Sequence, residues 1–202
     1  MALDELHNCV NFGDMRILTV LALSLAPVFV QAADAACPAP QNYSDELLNL
    51  IAKAQGAENF MDGRRVSNEM WQVWLRAPDE LAQTALDSGL RHRDVFDFAG
   101  ALIEFDRLVE YCPSYAEGFN QRAYINFLQE NFEAALVDLD KALVLQPYHI
   151  AAQSGRALTL MNLGRIEEAR AQMLVAVDNN PWLSEAALLE EGAPLAPKGK
   201  KL

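Results

Sequence analysis

Basic residues are scarce in this chain of 202: 16 Lys and Arg stand against 28 Asp and Glu, a formal net charge of −12. A protein held on nucleic acid needs a clustered basic face to neutralise phosphates, so the deficit argues against that class of partner. Histidine and cysteine are scarcer still, three of each, which leaves little material for a zinc site. The motifs that announce catalysis are missing as well: there is no HExxH, GxSxG, Walker loop or CxxC. His92 and His149 have no second ligand at helical spacing. Glu167-Glu168 sits beside a helix start, where carboxylates favour the dipole and stay solvated. Together these absences point to a non-enzymatic chain without metal or cofactor. Apolar material is plentiful, at 51% of the residues, and suffices for a packed globular protein.

Long apolar runs are also rare. The one that stands out, residues 17–30 (ILTVLALSLAPVFV), has 14 residues. A spanning helix needs roughly 20. The run therefore reads as the hydrophobic region of a secretory signal, with Arg16 as its positive flank and small-residue cleavage sites at Val30-Gln31-Ala32 and Ala33-Asp34-Ala35. The expected mature N-terminus lies between Ala33 and Ala36, and the expected location is the periplasm, with no stable membrane span in the mature chain. Met15 followed by Arg16 makes a conventional signal start; residues 1–14, which carry Asp4, Glu5 and Asp14, are read as upstream of it, a genuine extension being the alternative. Lipidation of Cys37 is disfavoured, because Asp34 occupies the position three before it, where a large aliphatic residue is wanted.

The strongest pattern is a repeat. Cys112-Pro113, Gln146-Pro147 and Asn180-Pro181 recur at intervals of 34 and divide the chain into blocks 82–115, 116–149 and 150–183. Small residues recur at equivalent places: Gly89, Ala123 and Ala157 at position 8, Ala101, Ala135 and Ala169 at position 20, Ala142 and Ala176 at position 27. Two antiparallel helices approach closely only where facing side chains are small, and each proline stops the second helix. Gly164 and Asn131 mark the bend between paired helices, and Ser114-Tyr115-Ala116-Glu117 reads as a capping box.

The 34-residue period, the small positions and the terminal proline resemble the tetratricopeptide repeat (TPR) family, here in an exported bacterial member. The resemblance implies an all-α fold: a right-handed superhelical solenoid of antiparallel helix pairs. It would hold three repeats, a degenerate N-terminal helical pair over residues 44–81 capping the first of them, a capping helix at 184–191 and a disordered tail at 192–202. It also implies a ligand groove on the concave face of the first helices. Carried over by position, that groove includes Leu86, Leu90, Arg93, Asn120, Tyr124, Phe127, Leu158 and Met161. Tyr124 and Phe127 can equally be read as packing between repeats. The chaperone-tail clamp of some relatives needs several Lys, Arg and Asn, and only Arg93, Asn120 and Arg91 are at hand. In the family an Arg at position 7 pairs with an Asp at position 23, which implies an Arg122–Asp138 ion pair. Trp74 continues an apolar stripe and is expected in the core; Trp71 stays open.

The expected function is a scaffold that holds a protein or peptide partner in that groove. The alternatives are a homo-oligomer built by stacking of repeats, or an accessory subunit of an envelope enzyme complex. Cys37 and Cys112 remain after signal removal, and an oxidising compartment favours their pairing as a disulfide; two free thiols or an intermolecular bridge are the rivals.

Overall fold

The computed structural model describes residues 36–197; the apolar run, the cleavage region and residues 198–202 lie outside the described residues. Among these residues the regular structure is helical. The helices are α1 (Ser44–Gln55), α2 (Phe60–Trp74), α3 (Glu80–Asp94), α4 (Phe98–Tyr111), α5 (Ala116–Leu128), α6 (Phe132–Leu145), α7 (Ile150–Asn162) and α8 (Ile166–Asn179), closed by a 3-10 turn, Ser184–Leu189. None is long and apolar enough to cross a membrane.

Local chemistry sets the boundaries. Asn59, Asp79 and Asp97 cap α2, α3 and α4 by accepting the backbone N–H three residues on. At the other ends, Cys112, Gln146 and Asn180 each donate back to the carbonyl four residues earlier, and the following proline removes the next donor. The bend inside each pair is equally regular. Phe96, Glu130 and Gly164, 34 apart, adopt left-handed φ of 61°, 62° and 74°. The next residue in each case, Asp97, Asn131 or Arg165, donates to the carbonyl five back, the signature of a Schellman ending. The left-handed residue of the second repeat is thus Glu130 and not Asn131, whose φ is −82°. The expected capping box is absent too: Tyr115 caps α5 without a side-chain bond, and Glu117 is turned inward.

α3–α4, α5–α6 and α7–α8 form three antiparallel pairs around small residues. Ala101, Ala123, Ala135, Ala142, Ala157, Ala169 and Ala176 are wholly buried, as is Leu108, while Pro113, Pro147 and Pro181 lie exposed in the turns between pairs. Gly89 is obligatory in its own way: a Cβ there would lie 2.3 Å from a ring carbon of Phe105.

The N-terminal pair departs from expectation. Leu47, Leu50, Ile51 and Ala54 of α1 and Val66, Met70, Val73 and Trp74 of α2 share a core with Ile150, backed by Tyr148 and Leu183, and not with the core of the first repeat. The pair lies along the row of turns between repeats. Tyr115 donates to the Trp74 carbonyl (2.7 Å) at the first turn, and Asn180 to the Ser67 hydroxyl (2.9 Å) at the third. At the third turn Trp182 also donates to the Ala54 carbonyl (2.8 Å), its ring lying on the bare backbone of Gly63. The tail is a second correction. Leu195 is fully buried beside Met173 and Ala176, and Arg170 donates to the carbonyls of Leu195 and Ala196 (2.9 and 2.7 Å), which fixes residues 192–197 on α8.

Candidate functional site

The first helices of the pairs, α3, α5 and α7, line a groove of about 730 Å³, closed along one edge by Trp71 of α2 and Glu185 of the closing turn. Of the positions carried over by resemblance, Arg93, Asn120, Tyr124, Phe127 and Leu158 line it. Tyr124 projects furthest, at 47% exposure. Phe127 is half-buried and meets Phe132 edge-to-face at 5.4 Å, so it serves both groove and core. Three expected positions are not groove residues. Leu86 is wholly buried in the first-repeat core, and the half-buried Leu90 and Met161 pack into the first and third cores, because the helices rotate those positions toward their own partners. Sequence reasoning missed Trp71, Phe96 and Leu139, which the structure adds to the wall.

Behind the groove lies a buried polar node. Glu117 accepts from Asn120 (3.0 Å), Gln121 (2.5 Å) and His149 Nε2 (2.6 Å), while His149 Nδ1 accepts the Ala152 N–H (3.2 Å) and so caps α7. Those two bonds fix the tautomer: Nε2 carries the hydrogen, and Nδ1 is the acceptor. Trp74 stacks on the imidazole, with centroids 4.5 Å apart and planes 11° off parallel. Arg93 reaches the same node by donating to Gln121 (3.0 Å), which ties the groove floor to the buried carboxyl group. Glu117 and His149 are 32 residues apart, so helical-spacing arithmetic could not pair them.

Arg122 grips Asp138 through two bonds, 2.8 and 2.6 Å, and reaches Asp106 at 2.9 Å. Both carboxylates hold its pKa above the usual guanidinium range. Arg156 repeats the geometry one block on, with Gln172 (3.2 Å) and Asp140 (2.6 Å). Each arginine therefore bridges its own pair and the preceding one, and the signal for the second partner was the 34-residue spacing of Asp106 and Asp140. The structure sets the sulfurs of Cys37 and Cys112 within bonding distance, with Cα atoms 5.2 Å apart. Among the described residues no group of three or more His, Cys, Asp or Glu is placed to hold a metal ion.

No family model matches the chain. In sequence, 64 residues are 38% identical to a TPR repeat-containing protein of Rhizobium etli, covering 32% of this chain and 31% of that protein. A similar stretch is 36% identical to a tetratricopeptide repeat protein 36 homolog of Nematostella vectensis, covering 32% and 35%. The match thus spans about a third of each relative's length. Among solved structures, the first TPR of Spaghetti bound to an HSP90 peptide superposes with a TM-score of 0.51 at 21% identity, over 52% of this chain and 84% of that one. The Arabidopsis OM64 TPR domain gives 0.53 at 19%, over 54% and 90%. The TPR2B domain of yeast Sti1 in its pHsp70 complex gives 0.51 at 20%, over the same shares. At these identities the shared property is the fold, a TPR solenoid.

Proposed function

We propose that this tetratricopeptide-repeat protein is a non-enzymatic scaffold that holds a protein or peptide partner in its groove and works in the periplasm. The observation that carries the reading is the groove itself, where Phe96, Tyr124 and Leu128 stand 80%, 47% and 39% exposed in one concavity. Exposed aromatic and aliphatic groups gathered in a concave surface are what a partner's apolar anchors fill. Two neighbours of this fold were solved with a partner, one with an HSP90 peptide and one in a pHsp70 complex, which supports the reading. Export rests on the apolar run at residues 17–30 and its small-residue exit. A Cys37–Cys112 disulfide, favoured by the 5.2 Å Cα separation, would suit an oxidising compartment.

A photo-reactive side chain at Tyr124, compared with one at Val137 (69% exposed, outside the groove), tests the binding surface in intact cells. Capture of one defined protein from position 124 and not from 137 supports the reading; equal capture from both refutes it. Mass spectrometry of the protein recovered from the periplasm should find an N-terminus between Ala33 and Ala36. Retention of Met15 on soluble protein would end the export proposal.

A further inference from the structure

We propose that the groove takes an amphipathic α-helix with a basic polar face, in preference to an extended or acidic peptide; the inference rests on the groove being the binding surface. Its wall is apolar, formed by Trp71, Phe96, Tyr124, Phe127, Leu128 and Leu158. The side chains of its floor bond mainly to one another and to their own helices. Arg93 donates to Asp94 and Gln121, Asn120 and Gln121 to Glu117, Ser154 to the Ala151 carbonyl, and Thr159 to the Gly155 carbonyl. An extended ligand would bring a carbonyl and an N–H at every residue against a wall that is mostly apolar and offers few partners, and burying an unpaired carbonyl is costly. A helix arrives with its backbone paired and asks only for apolar contact along one stripe at i, i+3, i+4 and i+7.

Charge selects the other face of that helix. Among the described residues the one cation lining the groove, Arg93, pairs with Asp94 (2.8 Å), whose carboxylate is 64% exposed at the rim. Glu185 accepts only the Ser184 hydroxyl and pairs with no cation among the described residues. Over the whole chain the net charge is −12, so the field around the groove draws in a cationic ligand and repels an anionic one.

The purified chain, titrated by fluorescence anisotropy, separates the possibilities. Three probes of about 18 residues, roughly five helical turns, suffice: a Leu–Lys helix with leucine on one face, the same peptide with Glu for Lys, and a scrambled Leu–Lys sequence. The Leu–Lys helix should bind about tenfold or more tightly than either control, and salt should weaken it. Tyr124→Ala should weaken it about tenfold with the circular dichroism unchanged. Glu185→Lys, a rim change independent of packing, should lower Leu–Lys affinity and raise Leu–Glu affinity. Equal binding of the Leu–Glu or scrambled peptide, or no binding of the Leu–Lys helix, overturns the helix inference while leaving the groove reading to its cross-linking test. Leu–Lys binding that neither substitution alters overturns the groove reading as well.

Discussion

Replacing Glu117 by alanine removes the acceptor on which three buried donors converge. Asn120, Gln121 and His149 all give it hydrogen bonds, and Glu117 and His149 are each 1% exposed, so water does not replace what is lost. A buried donor left unpaired costs about 1–3 kcal/mol. The two flexible amides can turn elsewhere, but the imidazole cannot, because the Ala152 N–H and the Trp74 ring hold it. The expected loss is therefore about 1–3 kcal/mol, most of it from the stranded Nε2–H of His149. Urea unfolding followed by tryptophan fluorescence reads it directly, since the Trp74 stack reports on the node. A double-mutant cycle with His149→Ala should return a coupling of at least about 1 kcal/mol. A loss below about 1 kcal/mol, or the absence of coupling, would refute the account of Glu117 as the acceptor that holds the node together.

Reducing the Cys37–Cys112 pair, or changing Cys37→Ser, opens a loop of 75 positions and should cost about 4 kcal/mol in the chain-entropy account; two free thiols in peptide maps of protein made under oxidising conditions would refute the bond. Gly164→Ala meets no atom within 4 Å, so its expected loss of about 1–2 kcal/mol is the left-handed backbone alone; Glu130→Gly at the equivalent bend should move the melting temperature the other way. The carboxyl of Asp79 is held below the usual range by the Ala82 N–H and the Tyr111 hydroxyl, and that of Asp97 by the Gly100 N–H and His92. A depressed folded pKa gives stability that is present above the unfolded value, near about 4, and lost as pH falls through the folded value. Stability should thus drop with pH below about 4, and Asp79→Asn with Asp97→Asn should flatten that slope in urea titrations at stepped pH.

What the sequence disclosed and what it hid follow from how each feature is encoded. The repeats were legible because their constraints are local and periodic: a proline every 34 residues, small residues at most places where paired helices touch, an arginine at position 7 whose Asp138 partner sits 16 residues on in the same block. Non-periodic contacts were not legible. Glu117 and His149 stand at opposite ends of one block, and Trp182 finds Gly63 across more than a hundred residues, so no window of sequence contains either pair. Residues 192–197 were misread because Gly and Pro stand out in their composition, whereas a single residue, Leu195, is buried in the α8 core. The N-terminal pair was misplaced because amphipathic spacing says which face is buried and not against what. A cue was present nonetheless. Each Xaa-Pro step is followed by aromatic residues, Tyr115, Tyr148 and Trp182, and a solvent-exposed row of turns has no use for three large rings.

That row of rings also explains why the groove is more than three stacked repeats. Trp71 and Trp74, three residues apart on α2, point to neighbouring sectors of one helix and meet edge-to-face at 5.3 Å. Trp74 enters the buried node against His149, and Trp71 forms part of the groove wall. The node in turn reaches the groove floor through Gln121 and Arg93. α2 therefore touches the groove twice, once directly and once through a hydrogen-bonded chain that ends on a floor residue. That double attachment ties α2 to the groove, whereas each repeat contacts mainly its neighbours. The aperiodic helix laid across the turns thus adds Trp71 to a wall that the repeat helices otherwise supply.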